Sequence, residues 1–401
     1  MVIFTLDETA DLLKVNKETL RRWDRAGKLK AKRNPINGHR YYTSSQLSIF
    51  DGIFSSKVET NFVESKTTYR SVELFAGCGG MALGFEMAGI ENVALNEIDK
   101  WACQSLRKNR PSWEILEGDI KDLDFKKYNN IDIVSGGFPC QAFSYAGKKL
   151  GLKDARGTLF YEFARAVNEI KPKICIGENV RGLLNHDSGN TLKGMIDILD
   201  EIGYQVIFPI KVLKAVNYGV PQKRERIIII GIRKDLPHHN FNYPFPLNKK
   251  YTLKDALKKG DLYPKNVPKS EGAKYSQKKI DVLDLVPQKG YWRDLPENIQ
   301  REYMQKSFYL GGGKTGMARR IGWDEPCLTL TCSPSQKQTE RCHPTETRPF
   351  TVREYARIQT FPDNWKFSGS INQQYKQIGN AVPVNLAKEL GYSVISFLNS
   401  F

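Results

Sequence analysis

The spacing of apolar positions changes twice along this chain. In the first fifty residues it is helical: Leu6, Ala10 and Leu13 recur behind Thr5 and Glu8, a pairing that predicts a capping box at a helix start. After a break at Val15-Asn16, a second helical stretch runs through Leu20 and Trp23 and carries Arg21, Arg22 and Arg25. The segment KRNPINGHRYY follows, where Asn37-Gly38 predicts a two-residue hairpin turn flanked by Lys32, Arg33, His39 and Arg40. Residues 51–69 lose periodicity and read as a linker.

From Arg70 the apolar residues gather into short runs separated by loops and helical stretches. The expected strands are SVELF, NVALNE, WEILEGD, IDIVSGG, KICIGE, QVIFPI and RIIIIGI. Strands alternating with helices predict an α/β fold, a doubly wound Rossmann-like sheet. Between 241 and 345 the alternation disappears into a stretch rich in Lys, Pro, Gly and Tyr, expected to form a smaller irregular lobe. The amphipathic VPVNLAKELGYSVISFL then returns to the sheet. The expected organisation is a module at 1–50, a linker at 51–69, a sheet domain at 70–240, a second lobe at 241–345 and a return segment at 346–401.

Composition narrows the partners. The 401 residues carry 61 basic and 44 acidic side chains, a net +17, which favours a polyanion through counterion release. Residues 1–70 contribute a net +5 and residues 241–345 a net +8. The early acids of MVIFTLDETADLL argue against a secretory leader, and no apolar run is long enough to span a bilayer. Seven cysteines without a CxxC pair argue against a disulfide framework and for a reducing, cytoplasmic setting. Cys327, Cys332, Cys342 and His343 match no common zinc spacing, so no metal site is expected.

Chemistry-bearing residues collect at the expected strand ends. The first strand runs into FAGCGG, whose Phe75, Gly77, Gly79 and Gly80 allow close backbone approach to a ligand at a helix start. Glu97 ends the second strand, suited to ribose hydroxyls, and Asp119 ends the third, suited to an adenine amino group. A nucleoside ligand follows; NAD, FAD and S-adenosyl-L-methionine all fit. The fourth strand ends in GGFPCQAFS, where Pro139 fixes the chain before Cys140 and the thiol leaves the strand into a polar, lysine-rich stretch. Cys78, Cys103 and Cys175 sit in apolar surroundings and read as small core residues. Glu178 ends the next strand, and QKRERI brings Arg224 and Arg226 to the same edge.

Taken in order, these residues resemble the cytosine-5 DNA methyltransferases of bacterial restriction-modification systems, over about residues 70–235 and 346–390. The resemblance implies S-adenosyl-L-methionine as cofactor and double-stranded DNA as substrate. It places Phe75, Gly77 and Gly79 around the methionine part, Glu97 and Ile98 at the ribose and adenine, and Asp119 with Ile120 at the adenine edge. Pro139-Cys140 matches the nucleophile pair, and Glu178-Asn179-Val180 the motif that contacts a flipped cytosine. Of the paired arginines, Arg226 is expected to face the base and Arg224 to brace the cysteine loop. QYKQIGNAVP resembles the last motif and returns Asn380 and Val382 to the cofactor. The residues after Cys140 would form a loop closing over DNA, and 241–345 a target-recognition domain in which CSPSQKQTERCHP reaches bases or phosphates. Ile98 departs from the aromatic residue that many members carry.

The first module resembles the winged helix-turn-helix of MerR-type regulators and excisionases, which implies DNA binding, including operator DNA near the enzyme's own gene. A monomer is expected, since one chain suffices for one flipping pocket. The rival readings are a tRNA cytosine-5 methyltransferase, which belongs to a branch of the same family, and a transcriptional regulator with secondary methyltransferase activity.

Overall fold

The structure, a computed structural model, describes residues 3–13, 15–34, 38–47, 60–139, 158–237, 239–311 and 314–401. It divides into two units, Met1–Glu59 and Thr60–Phe401.

The first unit contains β1 (Ile3–Thr5), α1 (Leu6–Leu12), α2 (Lys17–Arg25), β2 (Lys32–Arg33), β3 (Arg40–Thr43) and α3 (Ser44–Leu47). The expected capping box is present, with Thr5 N donating to Glu8 Oε2 at 2.7 Å and Glu8 N to Thr5 Oγ1 at 3.1 Å. Asn16 caps α2 by accepting from Thr19 N. Leu13, Leu20, Leu29, Tyr42 and Leu47 close a small core. β1 was not expected; it pairs with β3, giving the order β1-β3-β2. Beyond the β2–β3 pairs, Asn34 N donates to His39 O at 2.9 Å. The expected Asn37-Gly38 turn includes Asn37, which with Pro35 and Ile36 lies outside the described residues. Arg40 Nε reaches Asp24 at 2.7 Å and ties the hairpin to α2, holding the Asp24 carboxyl below its ordinary value. Arg21, Arg22 and Arg25 of α2 stay exposed, as do Lys32 and Arg33 of β2.

The second unit begins with β4 (Arg70–Leu74), α4 (Gly80–Ala88), β5 (Glu91–Glu97), α5 (Lys100–Asn109), β6 (Glu114–Glu117) and β7 (Ile133–Gly136). It continues with α6 (Leu159–Ile170), β8 (Ile174–Val180), α7 (Asn190–Glu201), β9 (Tyr204–Val206), β10 (Lys211–Lys214), β11 (Gln222–Lys223) and β12 (Glu225–Arg233). The main sheet has the order β10-β12-β8-β7-β4-β5-β6, with β9 also paired to β12. Strands β4 to β8 are parallel; β12 pairs antiparallel with β8, and β9 and β10 each pair antiparallel with β12. The central strands are buried nearly throughout because helices cover both faces, as a parallel sheet requires. QVIFPI was expected as one strand, but it stops at Val206, short of Pro209, whose missing N–H cannot serve a ladder. Lys211–Lys214 then forms a strand of its own.

The irregular lobe carries α8 (Leu253–Leu257), α9 (Gln277–Asp284), α10 (Glu297–Met304) and β13 (Cys327–Leu328). Leu283, Val286, Trp292, Met304 and Met317 form its separate apolar cluster. Two buried charges organise it. Glu340 accepts from Tyr303 Oη and Ala318 N, both at 2.6 Å, and pairs with Lys279. Arg320 donates to the carbonyls of Leu283, Val286 and His343. β13 pairs with β11 in parallel and joins this lobe to the sheet domain.

The chain ends in α11 (Val352–Ile358), α12 (Ile371–Asn380) and α13 (Val384–Leu398). α13 lies along α4, where Gly84 faces Ala387 and Gly391 faces Ala88 at distances that leave no room for larger side chains. Part of the stretch expected as linker is fixed to α13: Asn61 Nδ2 donates to Glu389 at 2.8 Å, and Tyr69 Oη to Asn399 at 2.9 Å. Among the described residues no helix is long and apolar enough to cross a membrane.

Candidate active site

Because β4 to β8 run parallel, their carboxyl ends share one edge of the sheet. The strand order turns at β4, with β5 and β6 on one side and β7 and β8 on the other. Such a switch point opens a crevice, and here it holds a cavity of about 680 Å3. That size suits a nucleoside-sized ligand.

One end of the cavity is built by the first three strand tips. Phe75 and Gly77 line it, and Phe75 is held at φ +56°, a strained conformation costing about 1–3 kcal/mol that a binding turn can retain. Glu97 is oriented by three main-chain donors: Gly77 N at 2.7 Å, Asp99 N at 2.8 Å and Ile98 N at 2.9 Å. Ile98 is 67% exposed on the rim, an apolar surface left open beside a carboxylate. Asp119 and the buried Ile120 line the third tip, where Asp119 accepts from Lys121 N. Asn380 and Val382 close the cavity from the carboxyl-terminal segment.

The other end holds Pro139, Glu178 and Arg226. β12 runs against β8, so its amino end meets the carboxyl end of β8, and Arg226 falls opposite Val180. Arg226 Nε therefore reaches Glu178 Oε1 at 2.7 Å, in a pair whose side chains are almost buried. Asn179 Nδ2 donates to Phe138 O at 2.9 Å and fixes the chain just before Pro139. Cys140 lies outside the described residues, as do the residues expected as a closing loop through Gly157.

Two expected residues sit behind the wall. Gly79 caps α4 in the left-handed conformation, and a Cβ there would come 2.7 Å from Leu106; it supports the turn and does not line the cavity. Arg224 is 1% exposed and donates to the carbonyls of Leu330 and Asn380, both at 3.4 Å. Among the described residues its brace runs to the second lobe and the carboxyl-terminal segment. Burial, followed by repulsion from Arg226, lowers its pKa to about 9.

The structure adds groups that motif reading missed. Glu73, within β4, lines the cavity floor, and one of its oxygens has no partner among the described residues. Burial raises its carboxyl well above the usual range, and the charges of Glu97 and Glu178 add to this. Its only sequence signal was an acid inside an otherwise apolar strand. Lys376 pairs with Asp99 at 2.8 Å across the rim, joining α12 to the turn after Glu97. Cys78, Cys103 and Cys175 are buried, and burial raises their thiols, which suits the core role read for them.

Comparison with known proteins places this site in context. The family described as C-5 cytosine-specific DNA methylase matches residues 69–396, and the MerR family of regulatory proteins matches residues 5–42. The chain is 60% identical to the type II methyltransferase M.Eco47II of Escherichia coli, over 99% of this chain and 96% of that one. It is 53% identical to M.Sau96I of Staphylococcus aureus, over 89% and 83%. A solved structure of a putative prophage-encoded DNA modification methyltransferase from E. coli shares the fold with a TM-score of 0.59 at 24% identity, covering 83% of this chain and all of that one. The Dnmt2 methyltransferase of S. pombe shares it at 0.57 and 16% identity, with the same coverage.

Proposed function

The chain belongs to the C-5 cytosine-specific DNA methylase family, and from that premise we propose that it transfers a methyl group from S-adenosyl-L-methionine to carbon 5 of a cytosine flipped out of a short duplex site. The biological setting of this reading is protection of DNA in a type II restriction-modification system. The observation that carries it is one cavity with an oriented carboxylate, Glu97, at one end and the Glu178–Arg226 pair at the other.

The residues fit the cofactor. Glu97 offers a held carboxylate to the ribose hydroxyls, Ile98 an open apolar face to the adenine, and Asp119 and Ile120 its edge. Phe75 and Gly77 adjoin the methionine part, and Asn380 and Val382 form the opposite wall. When bound, the cofactor supplies an electrophilic methyl group.

The chain's own residues would make the base receptive to it. Carbon 5 of cytosine is a weak nucleophile until a thiolate adds to carbon 6, which is the role assigned to Cys140. A proton shared between Glu178 and ring nitrogen 3 would offset the charge that develops there, with Arg226 holding both that carboxyl group and the ring carbonyl; loss of the carbon 5 proton would then expel the thiolate. Asn179, through Phe138 O, fixes the chain just before Pro139. The base can enter only after leaving the duplex stack. One chain supplies every group named, in keeping with a monomer.

Bisulfite sequencing of an unmethylated duplex library, incubated with the protein and S-adenosyl-L-methionine, tests this reading. Protected cytosines within one short motif are expected. No protection by folded, cofactor-bound protein overturns it, in favour of an RNA substrate or a regulatory role.

Glu97→Ala removes the ribose acceptor and leaves three main-chain donors without their partner. Cofactor affinity is expected to fall by roughly 10- to 100-fold, the scale of a lost charged hydrogen bond. Calorimetric titration checks it; an unchanged Kd would show that Glu97 does not face the ligand.

The first unit, with its exposed arginines on α2 and basic hairpin, is assigned to operator DNA near the enzyme's own gene. Deleting residues 1–59 is expected to abolish protection of the upstream region in a footprint. Protection that persists without them rules out this role.

A further inference from the structure

Most side chains that could donate a hydrogen bond into the cavity at the sheet edge are already committed to the fold. Asn96 Nδ2 donates to the carbonyls of Leu116 and Gly118, Asn179 Nδ2 to Phe138 O, and Gln377 Nε2 to Ser368 O. Lys376 pairs with Asp99, and Arg226 with Glu178. Asn380 differs. It is exposed at the cavity wall, and among the described residues its Nδ2 makes no hydrogen bond.

The other end of that carboxamide is taken, because Cys332 Sγ donates to Asn380 Oδ1 at 2.9 Å. A carboxamide is a donor at one end and an acceptor at the other, so fixing the end that meets the thiol fixes the end left for a ligand. With its oxygen turned to Cys332, Asn380 keeps its amino group for the cavity. Burial raises the Cys332 thiol against the pull of Arg224 and Lys376, which keeps it in the protonated form that can donate.

The thiol is held in place by the chain before it. Thr329 Oγ1 donates to Lys223 O at 2.7 Å, and Leu330 N to the buried Gln222 Oε1 at 3.0 Å. Arg224 donates to Leu330 O and to Asn380 O, both at 3.4 Å, so one buried guanidinium spans the two segments. At Gly379 a Cβ would lie 2.6 Å from Thr331 O and 2.8 Å from Cys332 N. The residue before Asn380 therefore lets the two backbones touch. Cys332 opens the CSPSQKQTERCHP stretch that was expected to reach DNA, yet its own thiol is engaged at the cavity wall.

We propose that Cys332 is a positioning residue for cofactor binding: its thiol holds the Asn380 carboxamide by the oxygen and so presents the amino group to an acceptor on S-adenosyl-L-methionine. The proposal rests on the cofactor reading above.

Calorimetric titration of the full chain with S-adenosyl-L-methionine tests it, for wild type, Cys332→Ala, Cys332→Ser, Asn380→Ala and the double variant Cys332→Ala/Asn380→Ala. Cys332→Ala leaves the carboxamide free to turn and is expected to weaken binding about 2- to 10-fold, the scale of one hydrogen bond. Cys332→Ser keeps a donor and is expected to stay within about 2-fold of wild type. In the Asn380→Ala background, loss of the thiol is expected to change nothing further, because no carboxamide remains to be oriented. Cys332→Ala or Asn380→Ala binding as wild type, Cys332→Ser as weak as Cys332→Ala, or equal losses of the thiol in both backgrounds overturns the proposal. Cys332 is exposed, so its truncation opens no cavity in the core, and melting curves of cofactor-free protein confirm that each variant is folded. Wild type that fails to bind S-adenosyl-L-methionine overturns the cofactor reading itself, which separates the two failures.

Discussion

Cys140→Ser is expected to reduce methyl transfer to below detection while cofactor and DNA binding persist. A thiol ionises within reach of neutral pH and a serine hydroxyl does not, so the variant has nothing to add to carbon 6 of the base. Among the described cysteines, Cys78, Cys103, Cys175, Cys327 and Cys342 are buried, with thiols raised by burial, and the exposed Cys332 donates to Asn380 Oδ1, its thiol also raised by burial. The measurement is transfer of labelled methyl to duplex DNA, with gel shift and cofactor titration as controls. Retained turnover would remove Cys140 from the chemistry, and a variant that no longer binds cofactor would indicate a structural rather than chemical defect.

Gly80→Ala is expected to damage the cofactor site from within the protein. A Cβ at Gly80 would lie 2.2 Å from Val382 O and 3.2 Å from Ala381 Cβ. The first is a main-chain oxygen that cannot rotate aside, so residues 381–383 must move, and the start of α13 with them. Overpacking of this kind costs about 1–3 kcal/mol. Because Val382 lines the cavity, a lower Tm should come with weaker cofactor binding. Differential scanning calorimetry with and without S-adenosyl-L-methionine reads both. Unchanged melting and unchanged ligand stabilisation together would mean that this wall yields freely.

Much of the site was legible because its chemistry is written in contiguous pieces. FAGCGG, NEI, GDI, GFP and ENV each lie at or just after a strand end, so alternating strands and helices suffice to bring Phe75, Glu97, Asp119, Pro139 and Glu178 to one edge. Arg226 was placed at that edge by its motif alone. What carries it there is the antiparallel course of β12, a long-range pairing that local periodicity does not encode. The inward turn of Arg224 was hidden for a related reason, since its partners Leu330 and Asn380 are more than a hundred residues away. Glu73 was missed because an acid inside a strand reads as an outward position until both faces of the sheet prove covered. The second lobe gave least, because Leu283, Trp292, Met304 and Met317 form a cluster without any repeating interval. The short β1 shows the same limit on a smaller scale: strand pairing partners are decided in three dimensions.

The packing of α13 along α4 also has a consequence for the order of synthesis. The tips of the parallel strands are complete when Val180 leaves the ribosome, yet the wall formed by Asn380 and Val382, and the helix that seats it, come about two hundred residues later. At ordinary elongation rates that interval is about 10–40 s. Through it a nascent chain carries Glu97, Glu178 and Cys140 without an enclosed cofactor site, so each new molecule starts life silent. A premature stop between β12 and α12 would leave most of the motifs intact and is expected to yield a protein unable to modify DNA.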